Sequence, residues 1–278
     1  MPGDWNPDQY HRFRDERSRP FFDLMECVGE GRGRTCLDLG CGTGELTAEL
    51  HREKSFELTL GIDRSPAMLG RAREHEEAGL RFEAGDIATY EPRSTVDVVF
   101  SNAALHWVDD HPALLTRLRT WLHPGGEIAV QVPANHDTAT HEVANEVAGE
   151  EPFRSELKGH VRESPVLKPD EYARLLHRLG FRQPTVRLEV YPHVLDRRDD
   201  VIEWVRGTLL TAYQVRLSGP TYERFLERYQ ERLFEVLPDE EPFFYPFKRI
   251  LMWGKLIQGT TTVHTVRGEI EDDGPGRS

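Results

Sequence analysis

The stretch TCLDLGCGTGELTAEL, Thr35 to Leu50, sets an apolar run of β type ahead of a leucine-spaced helical pattern and places Gly40, Gly42 and Gly44 between them. Glycine adopts the left-handed backbone that other residues avoid, so this turn can carry a strand directly into a helix with its amides open to a ligand. The amino end of that helix is a favourable place for a negative group. A dinucleotide fingerprint, G-x-G-x-x-G, would put its third glycine where this chain has Glu45. A carboxylate there would face two phosphate charges, which disfavours NAD. The single carboxylate at an amino-acid end makes a smaller demand, and Asp38 just before the turn supplies an acceptor for an ammonium.

Outward from the turn, the runs ELTLGID, LRFEAGD, VDVVFSN and EIAVQVP alternate with helical or loop segments, the pattern of parallel βαβ units, so an α/β fold with helices on both faces of the sheet is expected. Asp63 ends the second run, where an acidic side chain can accept hydrogen bonds from both hydroxyls of a ribose. Asp86 and Ile87 close the third, where an acceptor and an apolar group could hold an adenine edge and ring. Ser65-Pro66 and Asp110-His111-Pro112 read as helix starts, and the second of these helices is expected to stop at Pro124-Gly125-Gly126. Residues 1–30 read as an amino-terminal helical lid, one helix or two short ones broken near Pro20, and residues 31–257 as the main domain. Within the latter, 137–169 reads as an insertion with a short helix, and a long amphipathic helix runs from Tyr222 to Leu237 before a final strand, FYPFKRILMWG. Residues 258–278 read as a disordered tail. The segment HEVAN, His141 to Asn145, misses the H-E-x-x-H zinc pattern at its last position, and no metal is expected.

Composition narrows the function further. The 278 residues carry a formal net charge of −13, which opposes binding to nucleic acid. No apolar run approaches the roughly 20 residues of a spanning helix, and no leader pattern opens the sequence, so a cytoplasmic protein without membrane contact is expected. Cys27, Cys36 and Cys41 form no C-x-x-C pair and no even set, and they read as reduced thiols. Oligomeric state stays open between a monomer and a weak dimer.

With Asp38-Leu39-Gly40-Cys41-Gly42-Thr43-Gly44, Gly61-Ile62-Asp63, Gly85-Asp86-Ile87 and Leu122-His123-Pro124-Gly125-Gly126 in order, the chain resembles the class I S-adenosylmethionine-dependent methyltransferases. Two further blocks, Asp4-Trp5-Asn6-Pro7 with Glu16 to Pro20 and Ser101 to Trp107 running to Gln131-Val132-Pro133, are similar to the trans-aconitate methyltransferases within that class. The resemblance implies a Rossmann-like seven-stranded sheet, S-adenosylmethionine as donor, S-adenosylhomocysteine as product and a small organic acid as acceptor. It implies a cofactor bed of Asp38, Gly40, Gly42, Gly44, Asp63, Arg64, Met68, Asp86, Ile87, Asn102, Ala103, His106 and Trp107. Its acceptor side would draw on Trp5, Tyr10, Arg17, Arg19, Tyr245 and Arg249.

The chain departs from that family where Leu209 to Tyr213 follow Gly207-Thr208 in place of an arginine and a proline, and where Lys248 stands for a common arginine. An acid acceptor suits the residues, since a carboxylate is already ionised at neutral pH and needs no general base, and His106 is the one weak candidate for a base. Arginine, which pairs carboxylates through two parallel hydrogen bonds, is dense near the amino end. A natural-product hydroxyl or amine, or a carrier-bound carboxyl, stays open as the acceptor. A dehydrogenase and a non-catalytic binding module are the readings from other classes.

Overall fold

The computed structural model describes residues 14–257, with side chains from Ser18 onward. Seven strands form one sheet in the order β3-β2-β1-β4-β5-β7-β6. They are β1 (Thr35–Leu39), β2 (Leu58–Asp63), β3 (Leu80–Ala84), β4 (Val96–Asn102), β5 (Leu122–Pro133), β6 (Phe181–Leu195) and β7 (Phe243–Leu256). The first five pair in parallel, and β7 runs antiparallel between β5 and β6. Chain order therefore reverses between β1 and β4, and a crevice opens there at the carboxyl ends of the strands.

Strand alternation explains the layers, because successive side chains point to opposite faces. Cys36, Val98, Phe100, Ala129 and Leu251 face one side, where α1 (Arg14–Glu26) contributes Phe21 and Leu24 and α2 (Glu45–Lys54) contributes Leu50. Leu37, Leu39, Val99, Ile128, Val130 and Ile250 face the other, under Leu114, Leu115 and Leu118 of α4 (His111–Thr120) and Tyr172 and Leu176 of α7 (Pro169–Arg178). Between β2 and β3, α3 (Pro66–Ala72) buries Leu69 and Ala72 against Leu80 and Phe82. Ser65 caps that helix as expected, its hydroxyl accepting from the Met68 amide at 3.4 Å, and Asp110 caps α4 through the Ala113 amide at 3.1 Å.

A second apolar centre lies beyond the carboxyl ends of the strands. It gathers α5 (Ala139–Ala148), α6 (Phe153–Glu156), α8 (Asp200–Arg206), α9 (Thr211–Gln214) and α10 (Gly219–Val236) around Tyr213, Phe225, Tyr229 and Leu233. Val143, Ala144, Val147, Ala148, Phe153 and Leu157 of the expected insertion are therefore part of a core. The expected long helix is α10, which buries Tyr222, Phe225, Leu226, Tyr229 and Leu233.

One expectation is settled, one lies outside the described residues and one needs correction. The amino-terminal segment forms a single helix unbroken through Pro20, and its buried face sets Phe21 and Leu24, 2% and 0% exposed, against the sheet while Arg19 stays exposed. Residues 1–13 and 258–278, on which the remainder of the lid and the tail reading fall, lie outside the described residues. Helix α4 ends at Thr120 and not at Pro124: Leu122 already pairs with Val96 and Glu127 with Val98, so Leu122 to Gly126 form a bulged start to β5.

Glu127 fastens that bulge. It is 3% exposed, and its carboxylate accepts from Arg34 Nη2 at 2.8 Å, from the Gly29 amide at 3.2 Å and from Trp253 Nε1 at 3.2 Å, joining the approach to β1 with β5 and β7. Removing one member of a buried pair strands the other charge. Glu127→Ala should lower unfolding free energy by about 3 kcal/mol in urea titration, with a smaller loss for Glu127→Gln.

Candidate active site

The crevice between β1 and β4 holds a cleft of about 330 Å³. Its floor is the turn after β1. The amides of Gly40 and Cys41 both donate to the Ile62 carbonyl of β2, at 2.8 and 3.0 Å, and Gly40, Gly42 and Gly44 take φ of 79°, 57° and 76°. Gly44 starts α2 with no side-chain cap, leaving the helix amino end to face the cleft.

Two of these glycines are required for different reasons. A Cβ on Gly40 would lie 2.3 Å from the Ala104 Cβ, so the end of β4 packs directly on the turn. A Cβ on Gly42 would meet nothing within 4 Å, and it would project into open space at the cleft. Gly44 differs from the sequence expectation: it does not line the cleft, and a Cβ there would strike Ala72 and Phe82 at 2.8 Å, so its smallness serves helix packing.

Carboxylates edge the cleft. Asp63 Oδ2 accepts from the Gly42 amide at 3.0 Å and Oδ1 from the Ser65 amide at 2.8 Å, which ties the turn to the start of α3. An ionised carboxylate accepts at about four positions, so Asp63 retains capacity for two hydroxyls. Asp38 is 3% exposed and receives the Thr47 hydroxyl at 2.5 Å. Burial raises its pKa to about 7, opposed by the Thr47 bond and assisted by the charge of Asp63. Asp86 is exposed at the mouth and caps the following turn through the Ala88 amide at 2.9 Å. The same burial and the charges of Asp38 and Asp63 push the Cys41 thiol well above its usual range, so it stays protonated and unreactive.

The expected residues Asp38, Gly40, Gly42, Asp63, Arg64, Met68, Asp86, Ile87, Asn102, Ala103 and Trp107 all line this cleft. Asn102 presents a buried Oδ1 with no hydrogen-bond partner among the described residues, and Ala103 takes a left-handed φ of 53°. His106 sits behind the lining, its ring 4.8 Å from that of Trp107 and its Nδ1 sealed without a partner. Burial, then the charges of Arg162 and Arg249, drives its pKa well below the ordinary imidazole value. Sequence reading missed Phe21 and Thr47, both of which line the cleft. Thr47 was findable, since a residue three positions into a helix that starts at the turn faces back toward the strand.

The acceptor candidates are scattered. Trp5 and Tyr10 lie outside the described residues, as does the side chain of Arg17. Arg19 is exposed, its guanidinium 5.8 Å from the Tyr191 ring centre. Tyr245 is 4% exposed within the second apolar centre. Arg249, also 4% exposed, donates to Gln131 Oε1 at 3.1 Å and lies 4.8 Å from the Phe247 ring centre.

The size of the cleft suits a nucleoside-sized ligand. Open space over Gly42, the unpartnered Asn102 oxygen and the spare acceptor sites of Asp63 fit S-adenosylmethionine, whereas Glu45, Asp38 and Asp63 would repel a pyrophosphate. Gly40→Ala should cost more than about 2 kcal/mol of stability, combining left-handed strain with overpacking against Ala104. Gly42→Ala should cost only the backbone strain, about 1 kcal/mol, in the same urea titration.

Comparison with known proteins agrees with this geometry. Residues 30–178 match the family model described as a methyltransferase domain. The chain is 46% identical over 253 residues to a trans-aconitate 2-methyltransferase of Deinococcus radiodurans, covering 89% of this chain and 96% of that one. It is 36% identical over 256 residues to the protein of that name from Mycobacterium marinum, covering 89% and 94%. In fold it is similar to the YcgJ protein of Bacillus subtilis, with a TM-score of 0.56 at 17% identity over 86% of this chain and 97% of that one. The chain belongs to the trans-aconitate 2-methyltransferase family, enzymes of the S-adenosylmethionine-dependent class I fold.

Proposed function

We propose that the chain methylates a carboxylate of a small polycarboxylic acid, with trans-aconitate as the type substrate. The observation that carries this reading is the burial of His106 behind Trp107 of the cleft, with its Nδ1 sealed from solvent, which suppresses its basicity. An amine or phenol acceptor has to lose a proton, and a general base works best with a pKa near the operating pH. Burial and two arginines take His106 far from that range. A carboxylate, with a reference pKa of about 4, arrives ionised and needs no such help.

Asp38, Asp63 and Asn102 would hold the donor: Asp38 its ammonium, Asp63 its ribose hydroxyls, and Asn102 a donor group of its nucleoside or amino-acid end. Bound there, S-adenosylmethionine supplies a methyl group on a sulfonium, whose thioether leaves without being protonated. The remaining work of the protein is alignment and exclusion of water, and alignment is worth about 7 to 11 kcal/mol where it is well achieved. In this reading the partner is a small anion and not a nucleic acid, the formal net charge of −13 opposing phosphate-rich polymers. The free thiols Cys27, Cys36 and Cys41 suit the reducing cytosol. Among the described residues no helix is long and apolar enough to cross a membrane.

Assay of methyl transfer to trans-aconitate, other di- and tricarboxylates, phenols and amines tests the proposal directly. Activity confined to the acids is expected, with kcat at saturating donor flat from about pH 6 to 9 because the nucleophile is ionised throughout. Preference for an amine or phenol, or a rate climbing tenfold per pH unit, would overturn it.

Asp38 generates a separate pH dependence. Its carboxyl, raised to about 7, keeps a proton that the unfolded chain releases near 4, so the unliganded fold loses stability as pH climbs between those values. An ammonium ligand selects the ionised form. Donor affinity measured by calorimetry should therefore weaken about tenfold from pH 8 to pH 6. The dependence should disappear in Asp38→Asn, and a flat profile in the native enzyme would remove Asp38 from the ammonium site.

A further inference from the structure

A cation from the border of the helical centre lies beside Trp107 of the cleft wall. Arg162, in the loop between α6 and α7, lies with its guanidinium 4.9 Å from the ring centre of Trp107, a residue that lines the cleft. Its backbone is gripped from both sides by Asn145 of α5: the Arg162 amide donates to Asn145 Oδ1 at 3.2 Å, and Asn145 Nδ2 donates to the Arg162 carbonyl at 3.3 Å. The Tyr213 hydroxyl of α9 fixes Asn145 in turn, donating to the same Oδ1 at 2.5 Å. Asn145 closes the HEVAN segment, and the asparagine that spoils a zinc pattern is thus the residue that positions an arginine.

The guanidinium itself is half satisfied. Nη1 donates to the carbonyls of Thr208 and Leu209 at 2.9 and 3.3 Å, while Nε and Nη2 meet no protein acceptor and the side chain no carboxylate among the described residues. Other partly buried arginines find acids, as Arg34 does in Glu127 and Arg228 in Glu150, although Arg117 and Arg119 bond backbone carbonyls. Two imidazoles also feel Arg162, and its charge helps to lower the pKa of both His106 and His141, the latter to about 3. A largely buried guanidinium without a counter-ion is costly to keep in a protein with this excess of acids. Its planar fork matches a carboxylate.

We propose that Arg162 determines acceptor specificity, taking through Nε and Nη2 a carboxylate of the acid other than the one that is methylated. This deepens the reading of the chain as a polycarboxylate methyltransferase and rests on it. Arg162 ranks above Arg19, which is exposed, because it lies beside the cleft and its pose is built by three separate segments.

The test compares Arg162→Gln and Arg162→Lys with the native enzyme, using trans-aconitate, the monocarboxylate crotonate and, for the donor site, calorimetry with S-adenosylhomocysteine. Arg162→Gln should raise KM for trans-aconitate roughly 10- to 150-fold with little change in kcat, the range for losing a charged hydrogen bond. The preference for trans-aconitate over crotonate should collapse, and S-adenosylhomocysteine affinity should hold. Arg162→Lys, which keeps the charge and loses the fork, should fall between. An unchanged KM for trans-aconitate, or a loss confined to kcat or to S-adenosylhomocysteine affinity, would overturn the role of Arg162 while the acid-methylating reading stands. Should Arg162→Gln fail to fold by its melting curve, Arg162→Lys decides by the same criterion, a raised KM supporting the role and an unchanged one removing it. Native enzyme inactive on every acid would overturn the function and the specificity role together.

Discussion

Everything at the cleft depends on one carboxylate holding one turn. Asp63 accepts the amides of Gly42 and Ser65, and so couples the left-handed glycine turn after β1 to the start of α3 after β2. Those two strands lie side by side in the sheet, with Asp38 beside Gly61 and Leu39 beside Ile62. The turn is thereby held by the protein's own hydrogen bonds. Because this carboxylate holds both the turn and the start of α3, a change at Asp63 would loosen the floor of the cleft.

The turn also explains its neighbours. Gly40 is small because Ala104 packs onto it, and Ala103 just before takes a left-handed φ, so the end of β4 curls over β1 and brings Asn102 and Trp107 to the cleft wall. Burial around this junction sets the chemistry. It raises Asp38, holds Cys41 protonated and strips His106 of basicity, so the imidazole beside the cleft is not tuned to remove a proton. An electrophilic donor and an ionised acid need little more than alignment.

The helical centre beyond the strands is built by a different rule. Short helices, two of them of four residues, pack into their own apolar centre and carry polar residues to its border with the sheet. Asn145, Arg162 and Tyr213 come from α5, a loop and α9, and only their packing makes them a unit.

The donor half of the molecule was legible in the amino-acid sequence by itself. Glycines with left-handed turns, a strand-end acid about twenty residues on and capped helix starts are local features, and local features leave local signatures. Even there, the bulge from Leu122 to Gly126 and the packing role of Gly44 escaped, since each is defined by a partner strand or helix. The acceptor half was decided by tertiary structure. Helices of four to seven residues show too little periodicity to read, and a guanidinium becomes a specificity element only when distant segments bury it, hold its backbone and offer it no carboxylate.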